Sequence, residues 1–123
     1  QVKGVQDRVF FLGVRTDVPE IMGCLDVFLF PSLYEGLGIV LIEAQAAGVP
    51  CVVSDVIPDE ADLGLRLINR VNLESPLHLW LDSMMTCLHI PCPEWNVRAQ
   101  ALRKNGYDIR TSSIHLERIY LGG

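Results

Sequence analysis

Residues 26–50 have the sequence DVFLFPSLYEGLGIVLIEAQAAGVP, in which a short apolar run leads into a glycine-bracketed turn and then an apolar, helix-prone segment. Two carboxylates mark this stretch: Glu35 before the turn and Glu43 inside the predicted helix. The exposed N-terminus of a helix offers free N–H groups and partial positive charge, which suits a phosphate. A carboxylate only accepts hydrogen bonds, which suits the hydroxyls of a sugar. The pattern therefore predicts a site for a phosphate joined to sugars, as in a nucleotide sugar.

The overall composition is that of a globular protein. The chain has 123 residues, is 50% hydrophobic and 20% charged, and carries a net charge of −5. It is long enough for one domain with its own core, and too apolar for a disordered chain. The negative charge argues against broad electrostatic binding to nucleic acid, so a diphosphate would have to be held locally.

Compartment and metal content are also predicted from composition. No signal-peptide pattern occurs, and no apolar run approaches the ~20 residues that span a membrane. The four cysteines do not demand disulfides, which favours a reducing, cytoplasmic compartment. Cys87, His89 and Cys92 are close in sequence, but they lack the paired spacing of a zinc site and an evident fourth ligand. We therefore expect no metal, no cofactor and no transmembrane segment.

Strand and helix signals alternate along most of the chain. Asp17 is the candidate N-cap of the first helix, with Glu20 placed as in a capping box. Gly48 and Pro50 supply the stop signal of the second helix. Strands are predicted at 8–13, 26–30, 51–54 and 65–68, and helices at 17–25, 35–47, 75–88, 94–105 and 112–120.

This alternation predicts an α/β fold, a Rossmann-like doubly wound parallel sheet with a helical C-terminal part. The runs at 27–30 and 51–53 are continuously apolar, as expected of strands covered on both faces. In such sheets ligands bind beyond the carboxyl ends of the strands. Gly13, the segment 32–38 and the pair 54–55 all follow predicted strands, so we expect the site to be built from them.

Three sequence runs carry a resemblance to a known family. VFFLG at 9–13, DVFLFPSLYEG at 26–36 and EAQAAGVP at 43–50 closely resemble glycosyltransferase family 4, in particular the bacterial members that build capsular and exopolysaccharides. The resemblance is strong over 9–62 and weak beyond. It implies the GT-B architecture, two Rossmann-like domains with the active site between them. Residues 1–123 then correspond to part of the nucleotide-sugar-binding C-terminal domain, and the N-terminal acceptor domain is absent.

The resemblance also implies roles for individual residues. Glu35 matches the glutamate beside the donor sugar and is the expected catalytic residue. Glu43 matches the glutamate that accepts hydrogen bonds from the ribose, and the backbone of 37–40 matches the diphosphate-binding turn. Residues 13–15 match the loop at the edge of the nucleobase pocket. The expected donor-binding residues are Gly13, Val14, Arg15, Ser32, Gly36, Leu37, Gly38, Ile39, Val40 and Glu43.

One family feature has no counterpart in this sequence. Family members carry an arginine and a lysine on a loop after the first strand of this domain, where they neutralise the diphosphate leaving group. That loop would precede Gln1, and no equivalent pair occurs here. We therefore expect the 123-residue chain alone to show no transferase activity.

The function implied by the resemblance is the donor-binding part of a retaining glycosyltransferase of hexosyltransferase type. Its donor is expected to be a nucleoside-diphosphate sugar, specifically a UDP-sugar, and its product a lengthened glycan. The expected partners are this donor and a glycan or lipid-linked acceptor that reaches the missing domain, with the parent protein at the inner face of the membrane. Two alternatives stay open: a non-catalytic nucleotide-binding or assembly module, and a sugar-nucleotide epimerase of the same architecture.

Overall fold

The computed structural model describes residues 4–33, 36 and 38–107. Helices and strands alternate along this part of the chain, followed by two consecutive helices. In chain order the elements are α1 (Val18–Gly23), β1 (Phe28–Phe30), α2 (Ile39–Ala46), β2 (Cys51–Ser54), β3 (Ile68–Val71), α3 (Leu77–Cys87) and α4 (Trp95–Lys104), with short 3-10 turns at Gln6–Arg8 and Asp59–Ala61. Within these residues no helix is both long and apolar enough to cross a membrane.

The three strands form a parallel sheet in the order β1-β2-β3. The register pairs Phe28 with Cys51, and Cys51 in turn with Ile68. All four residues of β2 are buried, because this strand is central and side chains cover both of its faces. The predicted α/β parallel sheet is confirmed.

Helices cover the two faces of β2 separately. On one face Cys51 and Val53 pack in a core with Met22 of α1 and Leu41 of α2. On the other face Val52 packs in a second core with Trp80 and Cys87 of α3. Alternate residues of a strand point to opposite faces, so one apolar run supplies both cores. This is the doubly wound arrangement predicted from the sequence.

The strand predicted at 8–13 is wrong. Gln6–Arg8 forms a 3-10 turn, and residues 9–12 follow without strand structure. Phe10 and Phe11 are 77% and 97% exposed. A β-strand needs a neighbour to pair its N–H and C=O groups, and none of the described strands pairs with this segment.

The fourth predicted strand, at 65–68, is displaced in the structure. The strand is Ile68–Val71, and it includes the polar residues Asn69 and Arg70. Asn69 donates from Nδ2 to the carbonyls of Cys51 and Leu67, both at 3.2 Å. The side chains of Asn69 and Arg70 both donate to backbone carbonyls of neighbouring segments. A strand therefore forms here although the apolar run of the sequence has already ended.

The predicted helices are found with shorter bounds. The segment predicted at 35–47 becomes helical only at Ile39, after Gly38. Asp17 is the N-cap of α1 as predicted, but the capping box is wrong because its side chain makes no capping hydrogen bond. Its carboxylate instead accepts two hydrogen bonds from Arg15, at 2.7 and 2.8 Å. The helix predicted at 112–120 lies outside the described residues.

The end of α2 is tied to α4 through Arg98. Its Nη1 donates to the carbonyl of Ala46 at 2.7 Å, and its Nε donates to the carbonyl of Pro93 at 2.9 Å. Gly48 follows α2 with a left-handed φ of +78°, and a Cβ there would overlap Sγ of Cys92. A glycine at this position therefore allows the segment before α4 to approach the turn after α2.

Candidate functional site

The residues that follow the three strands lie at one edge of the sheet. The chain leaves β1 at Pro31 and Ser32, leaves β2 at Asp55 and leaves β3 at Asn72. Asn72 donates from Nδ2 to Oδ2 of Asp55 at 2.8 Å, which links the ends of β2 and β3. This is the carboxyl edge at which doubly wound folds bind ligands.

Gly38 opens the helix that follows β1. It has φ 74° and ψ 50°, in the left-handed region, and its carbonyl accepts the first helical bond from Leu41 N at 2.9 Å. Its N-cap residue is a glycine, which has no side chain that could cap the helix, and the first turn contains no acidic residue. The first N–H groups of a helix have no acceptor within the helix, and its dipole favours an anion at this end. The geometry therefore suits a phosphate group.

Glu43 lies one turn into α2 and is 6% exposed. Its Oε2 is buried and has no hydrogen-bond partner among the residues that the structure describes. Burial raises the pKa of this carboxyl to about 7, because the charged form is poorly solvated there. Burying a carboxyl costs free energy of folding unless another group forms a hydrogen bond with it. Its chemistry suits a ligand hydroxyl, which would donate to the open oxygen.

Gln45 is a second buried polar residue of α2, and its amide is fully used within the protein. Nε2 donates to the carbonyls of Leu41 at 3.0 Å and Ala61 at 2.6 Å, and Oε1 accepts from Leu63 N at 2.9 Å. These bonds hold the segment after β2 against α2. This role could not be predicted from the sequence, since the partners that tie the helix to another segment, Ala61 and Leu63, are 16 and 18 residues away.

Ser54 was expected from the sequence at the ligand-binding edge of the sheet, but no role was predicted for its side chain. It ends β2, is fully buried, and donates from its hydroxyl to the carbonyl of Ser32 at 2.5 Å. Ser32 was predicted as a binding residue, and the structure places it half-buried directly after β1. The bond therefore connects the carboxyl ends of β1 and β2 at the point where the predicted turn begins.

The segment predicted to edge a nucleobase pocket is exposed. Gly13 has φ +67° with open space around it, and the side chain of Val14 is fully exposed. The guanidinium of Arg15 is paired with Asp17, and this hydrogen bond raises the pKa of Arg15. Their role toward a base stays a prediction.

The structure places part of the predicted set. Ser32 directly follows β1, and Gly38, Ile39, Val40 and Glu43 lie on one continuous stretch at the start of α2. Gly36 is exposed. Glu35 and Leu37 lie outside the described residues, so the predicted sugar contact and part of the diphosphate turn stay predictions. In the described part of the chain, no group of three or more His, Cys, Asp or Glu side chains could hold a metal ion.

A comparison with models of known protein families shows which family this chain belongs to. A model of the family described as glycosyl transferases group 1 matches residues 1–72, more than half of this chain. The chain belongs to the group 1 glycosyl transferases. The resemblance found in the sequence is therefore confirmed, and the α/β architecture is the one expected of this family.

Curated relatives agree with this membership. EpsF of Bacillus subtilis (strain 168), whose name assigns it provisionally to the glycosyltransferases, is 38% identical over 112 residues, which cover 91% of this chain and 29% of EpsF. A UDP-Gal:alpha-D-GlcNAc-diphosphoundecaprenol alpha-1,3-galactosyltransferase of Escherichia coli is 44% identical over 52 residues, 42% of this chain and 13% of that protein. The lipopolysaccharide core biosynthesis mannosyltransferase LpsB of Rhizobium meliloti (strain 1021) is 43% identical over 53 residues, 43% of this chain and 15% of LpsB. The chain spans less than a third of the length of each of these relatives.

Proposed function

We propose that residues 1–123 form part of the nucleotide-sugar-binding C-terminal domain of a retaining glycosyltransferase of hexosyltransferase type. One observation carries the proposal. The N-terminus of α2, which begins with a glycine N-cap at Gly38, and the buried Oε2 of Glu43, which has no hydrogen-bond partner among the described residues, lie one turn apart on a single helix. The first suits a phosphate and the second suits sugar hydroxyls, and family membership supports the same ligand.

Each part of the donor has a proposed partner. The backbone N–H groups of residues 37–40 bind the diphosphate, and Glu43 accepts hydrogen bonds from the ribose. Glu35 contacts the transferred sugar, and residues 13–15 border the base. The open Oε2 of Glu43 supports the ribose contact, since a donating hydroxyl would satisfy it.

The donor that we propose is a UDP-sugar. The name of the E. coli relative specifies UDP-Gal, while that of LpsB specifies mannosyl transfer. Both match this chain over roughly the same number of residues, 52 and 53. These two relatives differ in the transferred sugar, so similarity to them does not specify the sugar, and we propose that residues of the parent protein outside this chain select it.

The proposed chemistry needs no protein nucleophile. The bond between the anomeric carbon and the diphosphate oxygen breaks, the oxygen of an acceptor hydroxyl bonds to that carbon on the same face, and the hydroxyl proton passes to an oxygen of the departing UDP. Catalysis then consists of positioning and of stabilising the charge on the leaving diphosphate. The α2 N-terminus contributes on the order of 1 kcal/mol to this stabilisation. We propose that no metal takes part, because helix N–H groups and basic side chains of the parent protein neutralise the leaving group.

The acceptor is proposed to be a growing glycan or a lipid-linked sugar that reaches the site through the N-terminal domain of the parent. The proposed setting is the cytoplasm, at the inner face of the membrane. These assignments rest on the relatives, one of which is named for a diphosphoundecaprenol-linked sugar.

Calorimetric titration of the full-length protein that contains this sequence tests the proposal. UDP is expected to bind, and Glu43→Ala is expected to abolish measurable binding. Glu74→Ala, at an exposed glutamate after β3, is the matched control and should leave the affinity unchanged.

Absence of UDP binding by the full-length wild-type protein would refute the proposal. Binding followed by epimerisation of free UDP-sugar, without transfer to any acceptor, would support the epimerase alternative. Binding with neither reaction would support a non-catalytic nucleotide-binding module. Turnover by the isolated 123-residue chain would contradict the expectation that it is inactive alone.

A further inference from the structure

The outer side of α3 carries a row of exposed apolar side chains. Successive members lie three or four positions apart, which places them on one face of an α-helix. Three of them lie within α3 and the fourth is its C-cap: Leu77, Leu81, Met85 and Leu88. Each is more than half exposed, and Leu77 is 72% exposed. These four residues are called the α3 stripe below.

The α3 stripe is not used in the packing of α3 on the sheet. That packing uses Trp80 and Cys87, which are buried beside Val52 of β2. At 100° per residue, the inner and outer apolar residues together span roughly 160° of the helix circumference, whereas an apolar face of about 100° is typical of a helix on one core. The apolar face of α3 is therefore wider than its contact with the sheet requires.

The charges near the α3 stripe favour a protein surface over a membrane surface as its partner. Residues 72–90 contain no lysine or arginine, and their only acidic residues are Glu74 and Asp82. Helices that lie on membranes carry lysine and arginine on their polar face, where anionic lipids attract them. An apolar row without basic neighbours instead matches the centre of a protein interface, which is depleted of charge.

The spacing of the α3 stripe is complementary to itself. When a second α3 runs antiparallel to the first and crosses it at position 83, Leu81 of one copy lies opposite Met85 of the other, and Leu77 lies beside Leu88. Each large apolar side chain then meets another one. Asp82 lies about 100° around the helix from the centre of the stripe, so its carboxylate stays outside the contact.

We propose that the α3 stripe is the contact between two copies of this chain, paired antiparallel about a two-fold axis. A two-fold contact places the same patch of both copies against each other, and such dimers are the commonest soluble homo-oligomers. The stripe forms the apolar centre of the interface, and the exposed polar residues His78, Asp82 and His89 form its rim. The inference does not depend on the nucleotide-binding role proposed for α2.

The test is sedimentation-velocity analysis of the full-length protein that contains this sequence, as wild type, Leu81→Gln and Met85→Gln. Both side chains are exposed and glutamine is a good helix former, so the fold should be retained. The wild type is expected to dimerise, and each change should raise the dissociation constant at least about tenfold, because it occurs twice in a two-fold interface. Leu79→Gln, at an exposed leucine on the other side of α3, is the matched control and should leave the constant unchanged.

A charge pair tests the antiparallel arrangement. Leu81→Lys and Met85→Glu should each weaken the dimer, because each places a charge in the apolar centre. Mixing the two variants should give a heterodimer, since position 81 of one copy faces position 85 of the other and the opposite charges attract.

The outcomes that would overturn the proposal are specific. A wild-type protein that stays monomeric at about 100 μM would refute dimerisation through the stripe. A dimer that neither glutamine variant weakens, or that Leu79→Gln weakens equally, would show that another surface holds the copies together. A mixture of the two charged variants that forms no heterodimer would contradict the antiparallel pairing.

Discussion

Glu43 and Gln45 are both buried on α2, two residues apart, yet only Gln45 has its side chain fully bonded within the protein. The amide of Gln45 makes three hydrogen bonds, whereas Oε2 of Glu43 has none to any residue that the structure describes. Buried polar groups in folded proteins are normally satisfied. Gln45 therefore contributes to the fold, and Oε2 of Glu43 is the polar atom of this helix that we propose a ligand satisfies.

The pKa of Glu43 predicts how stability depends on pH. Burial raises this pKa from 4.5 to about 7 in the folded protein, so the folded state binds more protons than the unfolded state between these values. The contribution of the Glu43 carboxyl to the stability of the fold is therefore fully present below about pH 4.5 and is lost as the pH rises through 7. Glu43→Gln removes the titration and should raise stability above pH 7 by up to about 3 kcal/mol.

Urea denaturation at about pH 4.5 and pH 8 measures this effect, with Glu74→Gln as the control at an exposed glutamate. The gain of Glu43→Gln should vanish at the lower pH. A gain of equal size at both pH values would show that burial does not perturb the ionisation of Glu43.

Donor binding should depend on pH in the opposite direction. Ribose hydroxyls donate to the ionised carboxylate, so a bound donor favours the deprotonated form of Glu43. In the folded protein without a bound donor the pKa of Glu43 is about 7. The affinity for the donor should therefore rise between pH 6 and pH 8, by up to about tenfold per pH unit below the pKa.

A UDP-sugar is the suitable probe, since its diphosphate is esterified at both ends and does not titrate in this range. Calorimetry in two buffers of different ionisation enthalpy should detect proton release on binding near pH 7. An affinity that does not change with pH would argue that Glu43 does not contact the donor.

Loss of the Gln45 amide should destabilise the fold. Gln45→Ala leaves the carbonyl of Ala61 and the N–H of Leu63 without their buried partner. It also leaves a cavity beside α2 where the glutamine side chain was. The expected loss is about 2–4 kcal/mol in the free energy of unfolding. Gln100→Ala, at an exposed glutamine of α4, should change stability by no more than about 0.5 kcal/mol. Similar losses for the two variants in urea denaturation would contradict the role assigned to Gln45.

Two glycines with the same backbone angle provide a matched pair. Gly48 and Gly64 both have φ +78°, but a Cβ at Gly48 would overlap Sγ of Cys92, while the space around Gly64 is open. Gly64→Ala should cost only the conformational term of about 1–2 kcal/mol. Gly48→Ala should cost about 1–3 kcal/mol more, because the side chains of Cys92 and Arg98 must also move to accommodate the methyl group.

Thermal melting of both variants measures the difference, and Cys92→Ala introduced beside Gly48→Ala should recover part of it. Equal destabilisation by the two glycine variants would show that the close approach of Cys92 contributes nothing.

Strands were predicted correctly where residue type alone defines them, and incorrectly where contacts with distant segments decide the outcome. β2 was predicted with its observed bounds, because a strand buried on both faces is apolar throughout. β3 was misplaced by three residues, since Asn69 and Arg70 are polar, and their hydrogen bonds to the segments beside them appear only in three dimensions. The apolar run 9–12 has the composition of a strand, but no described strand pairs with it.

The candidate site shows the same division. Gly38 and Glu43 could be proposed as site residues from the sequence because the carboxylate, the glycines and the helix start are close together along the chain. Ser54 and Gln45 were not assigned roles, because their partners lie 22 and 16–18 residues away.

The sequence by itself determined the alternation of strands and helices and the place of Glu43 within α2, because these depend on residues that are neighbours along the chain. Only the tertiary structure decided which polar groups are satisfied. The hydroxyl of Ser54 reaches Ser32, the amide of Gln45 reaches the segment after β2, and Oε2 of Glu43 has no partner in the described chain. Such assignments depend on distances between segments that are remote in sequence, and these distances are fixed only when the sheet and helices pack.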